Sequence, residues 1–144
     1  QLNHDIATTE FNNALLKKLR SSRPIIANKL WSLVLSTVST LFTQMRGETS
    51  IVAKGKDGFT VNGKPVESLS GSTLDILGAS IRIALMKTFI PHATFMVLDE
   101  PAAAMDEERT AMLLATLSSV GVSQIIMSTH ETISEALSTN VFQL

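Results

Sequence analysis

Two adjacent carboxylates, Asp99 and Glu100, follow the apolar run Phe95-Met96-Val97-Leu98 and directly precede Pro101. Such a run reads as a strand buried on both faces. Proline fixes φ and has no N–H to donate, so the ladder stops there and both acids fall at the strand's C-terminal end. In open α/β sheets that edge is where ligands bind. One carboxylate placed there can hold a magnesium ion through its water shell, and its neighbour can orient a nucleophilic water.

Other residues could share that chemistry. Leu69-Ser70-Gly71-Ser72-Thr73 opens a helical stretch, and a helix N-terminus presents backbone N–H groups to an anion. Alone, Leu-Ser-Gly is a common helix start. Asp106, after Ala102-Ala103-Ala104-Met105, reads alone as a helix N-cap. Ser128-Thr129-His130-Glu131 follows the next apolar run, where a lone His is more often a satisfied turn residue than a catalytic one. Gly58 to Lys64 satisfies G-x-x-x-x-G-K, but it is no phosphate loop. Pro65 stands where a Ser or Thr hydroxyl is needed for magnesium, and Asn62-Gly63 between two short apolar runs signals a hairpin. The chain therefore holds the magnesium-and-water half of a nucleotide site without a phosphate cradle.

The elements that must position these residues follow from periodicity. Phe11, Ala14, Leu15 and Leu19 predict a helix from about Thr8 to Arg20, with a break at Ser21-Ser22-Arg23-Pro24. A second helix is expected from about Ile25 to Met45, its apolar face formed by Leu30, Trp31, Val34, Leu35, Val38, Leu41, Phe42 and Met45, with a Ser/Thr-rich polar face. Gly47 ends it. A short strand over Thr49–Lys54, the hairpin at Asn62-Gly63, a helix to about Phe89, a helix from Asp106 to about Ser118 and a strand over Gln124–Met127 follow. A short helix near Thr132–Leu137 and a last strand at Val141–Leu144 complete the reading. The alternation implies an α/β fold with a partly parallel sheet and right-handed crossovers.

With 144 residues the chain suits one domain. A net charge of -1 gives no global basic field of the kind that drives non-specific DNA binding. Lys17, Lys18, Arg20, Arg23 and Lys29 form a local basic cluster, either a solvated helix face or a contact to phosphate or a partner. A mean hydropathy of +0.24 hints that some apolar surface meets something outside this chain. The absence of cysteine removes disulfides and thiolate metal sites and fits a reducing compartment. No stretch approaches the ~20 consecutive apolar residues of a membrane span, so no membrane partner is expected. The start at Gln1 suggests a fragment of a longer chain.

The order Leu69–Thr73, Phe95–Glu100, Ala102–Asp106, Ser128–Glu131 resembles the C-terminal half of an ABC-type ATPase head: signature, Walker B, D-loop and histidine switch. The finer resemblance is to the SMC and SbcC-like branch of DNA repair ATPases, and the tract from Lys54 to Ser68 looks most like phage recombination exonuclease ATPase subunits. The resemblance implies the C-terminal lobe of a P-loop ABC ATPase head, with residues 1–23 as the returning coiled-coil base and linker and 24–144 as the lobe. Walker A would lie on an N-terminal lobe. The cofactors implied are ATP and Mg2+, with Asp99 as the metal ligand through water, Glu100 and His130 as catalytic residues, and Ser70, Gly71, Ser72 and Asp106 as nucleotide contacts across a head dimer. Arg82 would couple the signature helix to the coiled coil, or simply be a surface arginine. The partners implied are the chain's own N-terminal lobe, a second copy of the head, an SbcD-like nuclease subunit and DNA, in the cytoplasm (that of the host if phage-encoded). The sequence departs from the family at the signature, with Ser72 where a second glycine is usual and Thr73 where Gln or Glu is usual. Two alternatives stay open: the nucleotide-binding part of a transporter, and a non-hydrolysing structural lobe.

Overall fold

The computed structural model describes residues 2–129, with side chains from residue 9 on. His130, the short helix near Thr132–Leu137 and the strand at Val141–Leu144 lie outside the described residues. The chain divides into two compact units, 1–33 and 34–144.

Helix α1 runs unbroken over Leu2–Arg46, with Pro24 inside it. The expected break at Ser21–Pro24 does not occur. Proline deletes one helical hydrogen bond, to the Arg20 carbonyl, and strains a helix without necessarily ending it. Ser21 and Ser22 remain helical and turn their hydroxyls onto the Lys18 carbonyl, at 2.9 and 2.8 Å. In the first unit Phe11, Leu15, Leu16 and Leu19 are all exposed, as are the basic residues from Lys17 to Lys29. Contrary to the sequence expectation, α1 is long and apolar enough within Thr9–Arg46 to cross a membrane by length and composition alone. The burial of Val38, Phe42 and Met45 nevertheless marks its C-terminal part as a core helix of a globular lobe.

In the second unit Val34, Val38, Leu41, Phe42 and Met45 of α1 are buried. Gly47, at φ 70°, closes the helix with its N–H on the Thr43 carbonyl. A three-stranded antiparallel meander follows: β1 (Val52–Lys54), β2 (Phe59–Val61) and β3 (Lys64–Pro65). Asn62 (φ 50°) and Gly63 (φ 78°) make the two-residue β2–β3 turn, with Val61 paired to Lys64, which is the geometry a type I′ hairpin demands. The Gly58–Lys64 stretch is therefore a hairpin and no phosphate loop. The Ser/Thr face of α1 binds this meander: Ser39 Oγ accepts the Val52 N–H at 2.9 Å, and Thr43 Oγ1 accepts the Ser50 N–H at 3.0 Å. The Ser/Thr-rich polar face thus satisfies backbone amides at and just before the start of β1.

After a 3-10 turn at Val66–Ser68, α2 (Gly71–Phe89) buries Ile76, Leu77, Ala79, Ser80, Ile83 and Ala84. Strand β4 (Phe95–Asp99), α3 (Glu107–Ser119) and β5 (Gln124–Ser128) form a βαβ unit with β4 parallel to β5. One expectation is corrected. Strand β4 is not buried on both faces: Met96 and Leu98 are buried, whereas Phe95 and Val97 are 60% and 62% exposed. On β5 Ile126 is exposed as well. Continuous apolarity signals a strand that can be covered on both sides, and among the described residues only one side is.

Candidate active site

Parallel pairing sets β4 and β5 in register from Phe95↔Gln124 to Asp99↔Ser128, so both strands end at one sheet edge. There Ser128 Oγ donates to Asp99 Oδ1 at 2.5 Å. The Glu100 N–H reaches both the Ser128 carbonyl (3.1 Å) and Ser128 Oγ (3.2 Å). Ser128 thereby fixes one oxygen of Asp99 and the backbone of Glu100 together. Glu100 has φ 42°, a left-handed conformation uncommon for a residue with a side chain, costing of order 1 kcal/mol. It lets the chain leave the strand at once, so that Glu100 projects from the turn and not from the ladder.

The turn is tight. Ala103 N–H bonds to the Glu100 carbonyl at 3.3 Å and Met105 N–H to the Ala102 carbonyl at 2.9 Å. Pro101, Ala102 and Met105 are buried and anchor it. Asp106 then caps α3, its Oδ1 accepting the Arg109 N–H at 2.9 Å; such a cap contributes about 1 kcal/mol.

A second cluster surrounds the start of α2. Ser70 is the N-cap; its Oγ bonds to Thr73 Oγ1 at 2.8 Å and accepts the Thr73 N–H at 3.4 Å. The first rung of the helical ladder is Leu74 N–H to the Ser70 carbonyl, so the amides of Gly71 and Ser72 precede that ladder. A Cβ on Gly71 would sit 3.6 Å from Ala104 Cβ, which shows how closely the turn after Glu100 approaches the helix start. Two contacts tie them. Asp75 Oδ2 accepts the Ala104 N–H at 3.1 Å. Arg109 Nη1 donates to Ser72 Oγ at 2.5 Å while its Nε lies 3.7 Å from Asp106 Oδ2.

The structure therefore gathers Ser70, Gly71, Ser72 and Asp106 around one helix start, and Asp99 and Glu100 at the sheet edge, with the five residues Pro101–Met105 joining the groups. His130 lies outside the described residues, and Arg82 is exposed on α2. Sequence reasoning missed Asp75, Arg109 and the role of Ser128. The available signals were faint: Asp75 lies one turn into the helix that Ser70 caps, and Arg109 lies three residues after a capping aspartate. A cavity of about 330 Å³ lined by residues such as Thr40, Gln44 and Lys87 shares no residue with either cluster. Ser70, Gly71, Asp99 and Asp106 are exposed and Ser72 and Glu100 half-buried, as suits half-sites completed by another surface.

The donor set fits a magnesium ion carried by a nucleotide. Among the described residues no group of three or more His, Cys, Asp or Glu gathers into an all-protein cage. One strand-end carboxylate is what a magnesium ion needs when water and phosphate oxygens supply its other ligands.

The chain matches no protein-family model. It is 35% identical over 69 residues to a DNA double-strand break repair Rad50 ATPase of Saccharolobus solfataricus, covering 46% of this chain and 8% of the relative. It is 31% identical over a 134-residue alignment to a Rad50 ATPase of Sulfurisphaera tokodaii, covering 81% of this chain and 15% of the relative. The chain thus spans a small part of these relatives' length. Among solved structures, one from work on ATP-driven dimerization and DNA-stimulated activation of SMC ATPases superposes with a TM-score of 0.67 at 17% identity, over 81% of this chain and 78% of that one. An SMC head bound to the C-terminal winged-helix domain of ScpA gives 0.64 at 15% identity, over 81% of this chain and 40% of that one. Sequence likeness to Rad50 ATPases and fold likeness to SMC heads together make this chain the C-terminal lobe of an SMC/Rad50-like ABC ATPase head.

Proposed function

We propose that this lobe supplies the signature, Walker B, D-loop and histidine switch of an ATPase that powers a DNA repair or recombination exonuclease complex. The observation that supports it best is the sheet edge where Asp99, Glu100 and Ser128 meet, joined through one short turn to the capped start of α2. Residues 24–144 would form the lobe and residues 1–23 the base of a returning coiled coil. The phosphate cradle that this chain lacks would come from an N-terminal lobe of the same protein, docked against the exposed face of β4 and β5.

In this reading Asp99 would hold the magnesium ion through water, and Ser128 keeps its carboxylate oriented. The metal, when bound with ATP, offsets charge on the β- and γ-phosphates. Glu100 orients the attacking water and takes its proton. Ser70, Gly71 and Ser72 meet the nucleotide held by a second copy of the head, Asp106 couples the two sites, and His130 senses the γ-phosphate. Phosphoryl transfer suits this division, because its catalysis is mostly positioning and charge stabilisation. ATP binding then closes two heads, and hydrolysis opens them. An SbcD-like nuclease subunit would read that motion, with linear DNA as its substrate, in the cytoplasm of a cell or of a phage's host.

The test is ATP hydrolysis by this chain mixed with the Walker A lobe of the same protein, with and without linear DNA. The expected result is turnover by the mixture alone, raised by DNA, with little or no ATP binding by this chain by itself. Associated lobes without turnover would favour a structural lobe. Sub-micromolar ATP binding by the chain alone would mean a phosphate site of its own.

A further inference from the structure

Ser72 and Thr73 stand where the resembled signature has glycine and an amide or carboxylate. On sequence grounds the change looks like a loss. The contacts around it give it a different meaning. Thr73 is buried and its hydroxyl is committed to Ser70 Oγ at 2.8 Å, so it takes no part at the surface. Ser72 is half-buried, and its Oγ lies 2.5 Å from Arg109 Nη1. A guanidinium has donors only, so the Ser72 oxygen accepts in this contact and its own proton is left to give. Ser70 Oγ, 3.4 Å away, is distant for an O–H···O bond and already engaged with Thr73. Arg109 is held in turn beside Asp106 across one turn of α3. The cation draws electron density from the Ser72 oxygen, which makes its proton a better donor.

We infer that Arg109 is a positioning residue that turns Ser72 into a hydroxyl donor for the terminal phosphate of the nucleotide on the opposing head. The inference rests on the functional reading above and assigns the altered signature a gain in place of a loss. It also makes α3, through Arg109, a second anchor of the signature beside the bond from the Ala104 N–H to Asp75.

The experiment uses the complete ATPase, with its Walker A lobe, and compares wild type with Ser72→Gly, Ser72→Ala, Ser72→Thr, Arg109→Ala and the Ser72→Ala/Arg109→Ala double variant. Turnover, ATP-dependent head dimerisation, ATP binding by the monomeric head and thermal unfolding are measured. Ser72→Gly and Ser72→Ala are each expected to lower kcat about tenfold, the scale of one charge-assisted hydrogen bond. Ser72→Thr keeps the hydroxyl and most of the activity. Monomer ATP affinity stays unchanged, because Ser72 serves the other head's nucleotide. Arg109→Ala falls as far as Ser72→Ala, and the double variant falls no further. Ser72→Gly turning over as fast as wild type, or faster, overturns the inference, as do additive losses in the double variant. A fall in kcat explained by an equal fall in folded protein also overturns it, and Ser72→Ala, which suits a helix start without a cap role, is the variant that reads this cleanly. A wild-type complex without turnover overturns the functional reading itself, and the inference with it.

Discussion

Replacing Glu100 with Gln in the complete ATPase is expected to cut turnover by about 10²–10⁴-fold, the usual contribution of a positioned general base. The amide keeps the size and the hydrogen-bonding reach of the carboxylate, and it leaves the Glu100 N–H on Ser128 undisturbed. What it loses is the capacity to take a proton from water. In the proposed mechanism, binding of ATP and closure of two heads do not need that capacity, so the variant should accumulate as an ATP-bound dimer, visible by size-exclusion chromatography with ATP present. Turnover within a few-fold of wild type would remove Glu100 from this role and move the search for a base to residues beyond the sheet edge.

The second large effect concerns packing. Phe42 is wholly buried on α1, as are Val38 and Met45 on the same helix and Ile76 and Ile83 on α2, and the Ser80 hydroxyl of α2 reaches Met45 Sδ of α1 at 3.8 Å. Phe42→Ala should cost about 3–5 kcal/mol, from lost transfer energy and an unfilled cavity. Against a typical total of about 5–15 kcal/mol, that would leave the lobe marginal. Phe42→Leu keeps most of the volume and should cost below about 2 kcal/mol. Urea unfolding of the two variants measures both, and a Phe42→Ala loss below about 1 kcal/mol would show that this core relaxes around the gap.

Much of this was legible in the residues. The Asn62-Gly63 turn, the Gly47 stop, the Asp106 cap and the strand-to-helix order after Ser70 all have local causes, and local causes can be read from sequence. The helix through Pro24 was not legible in that way. A proline and two serines argue locally for a break, and only the continuous helix shows that the serine hydroxyls bond within it. The half-covered sheet was missed for a related reason: apolar composition reports what a face can be packed against, not what the described residues supply. At the site, Asp99 and Glu100 could be found because two acids ending an apolar run are unusual. Arg109 and Asp75 could not, since their roles come from contacts 37 and 29 residues away along the chain.

The left-handed backbone at Glu100 has an evolutionary side. A glycine or asparagine there would adopt φ 42° at lower cost, so selection for heat resistance alone would tend to erase the carboxylate. A library of this lobe sorted for thermostability would be expected to enrich such replacements at position 100, giving robust heads that no longer turn over. On the role proposed for Glu100, stability and turnover are in opposition at a single residue, and engineering the lobe for ruggedness should leave that residue fixed and seek its gains elsewhere.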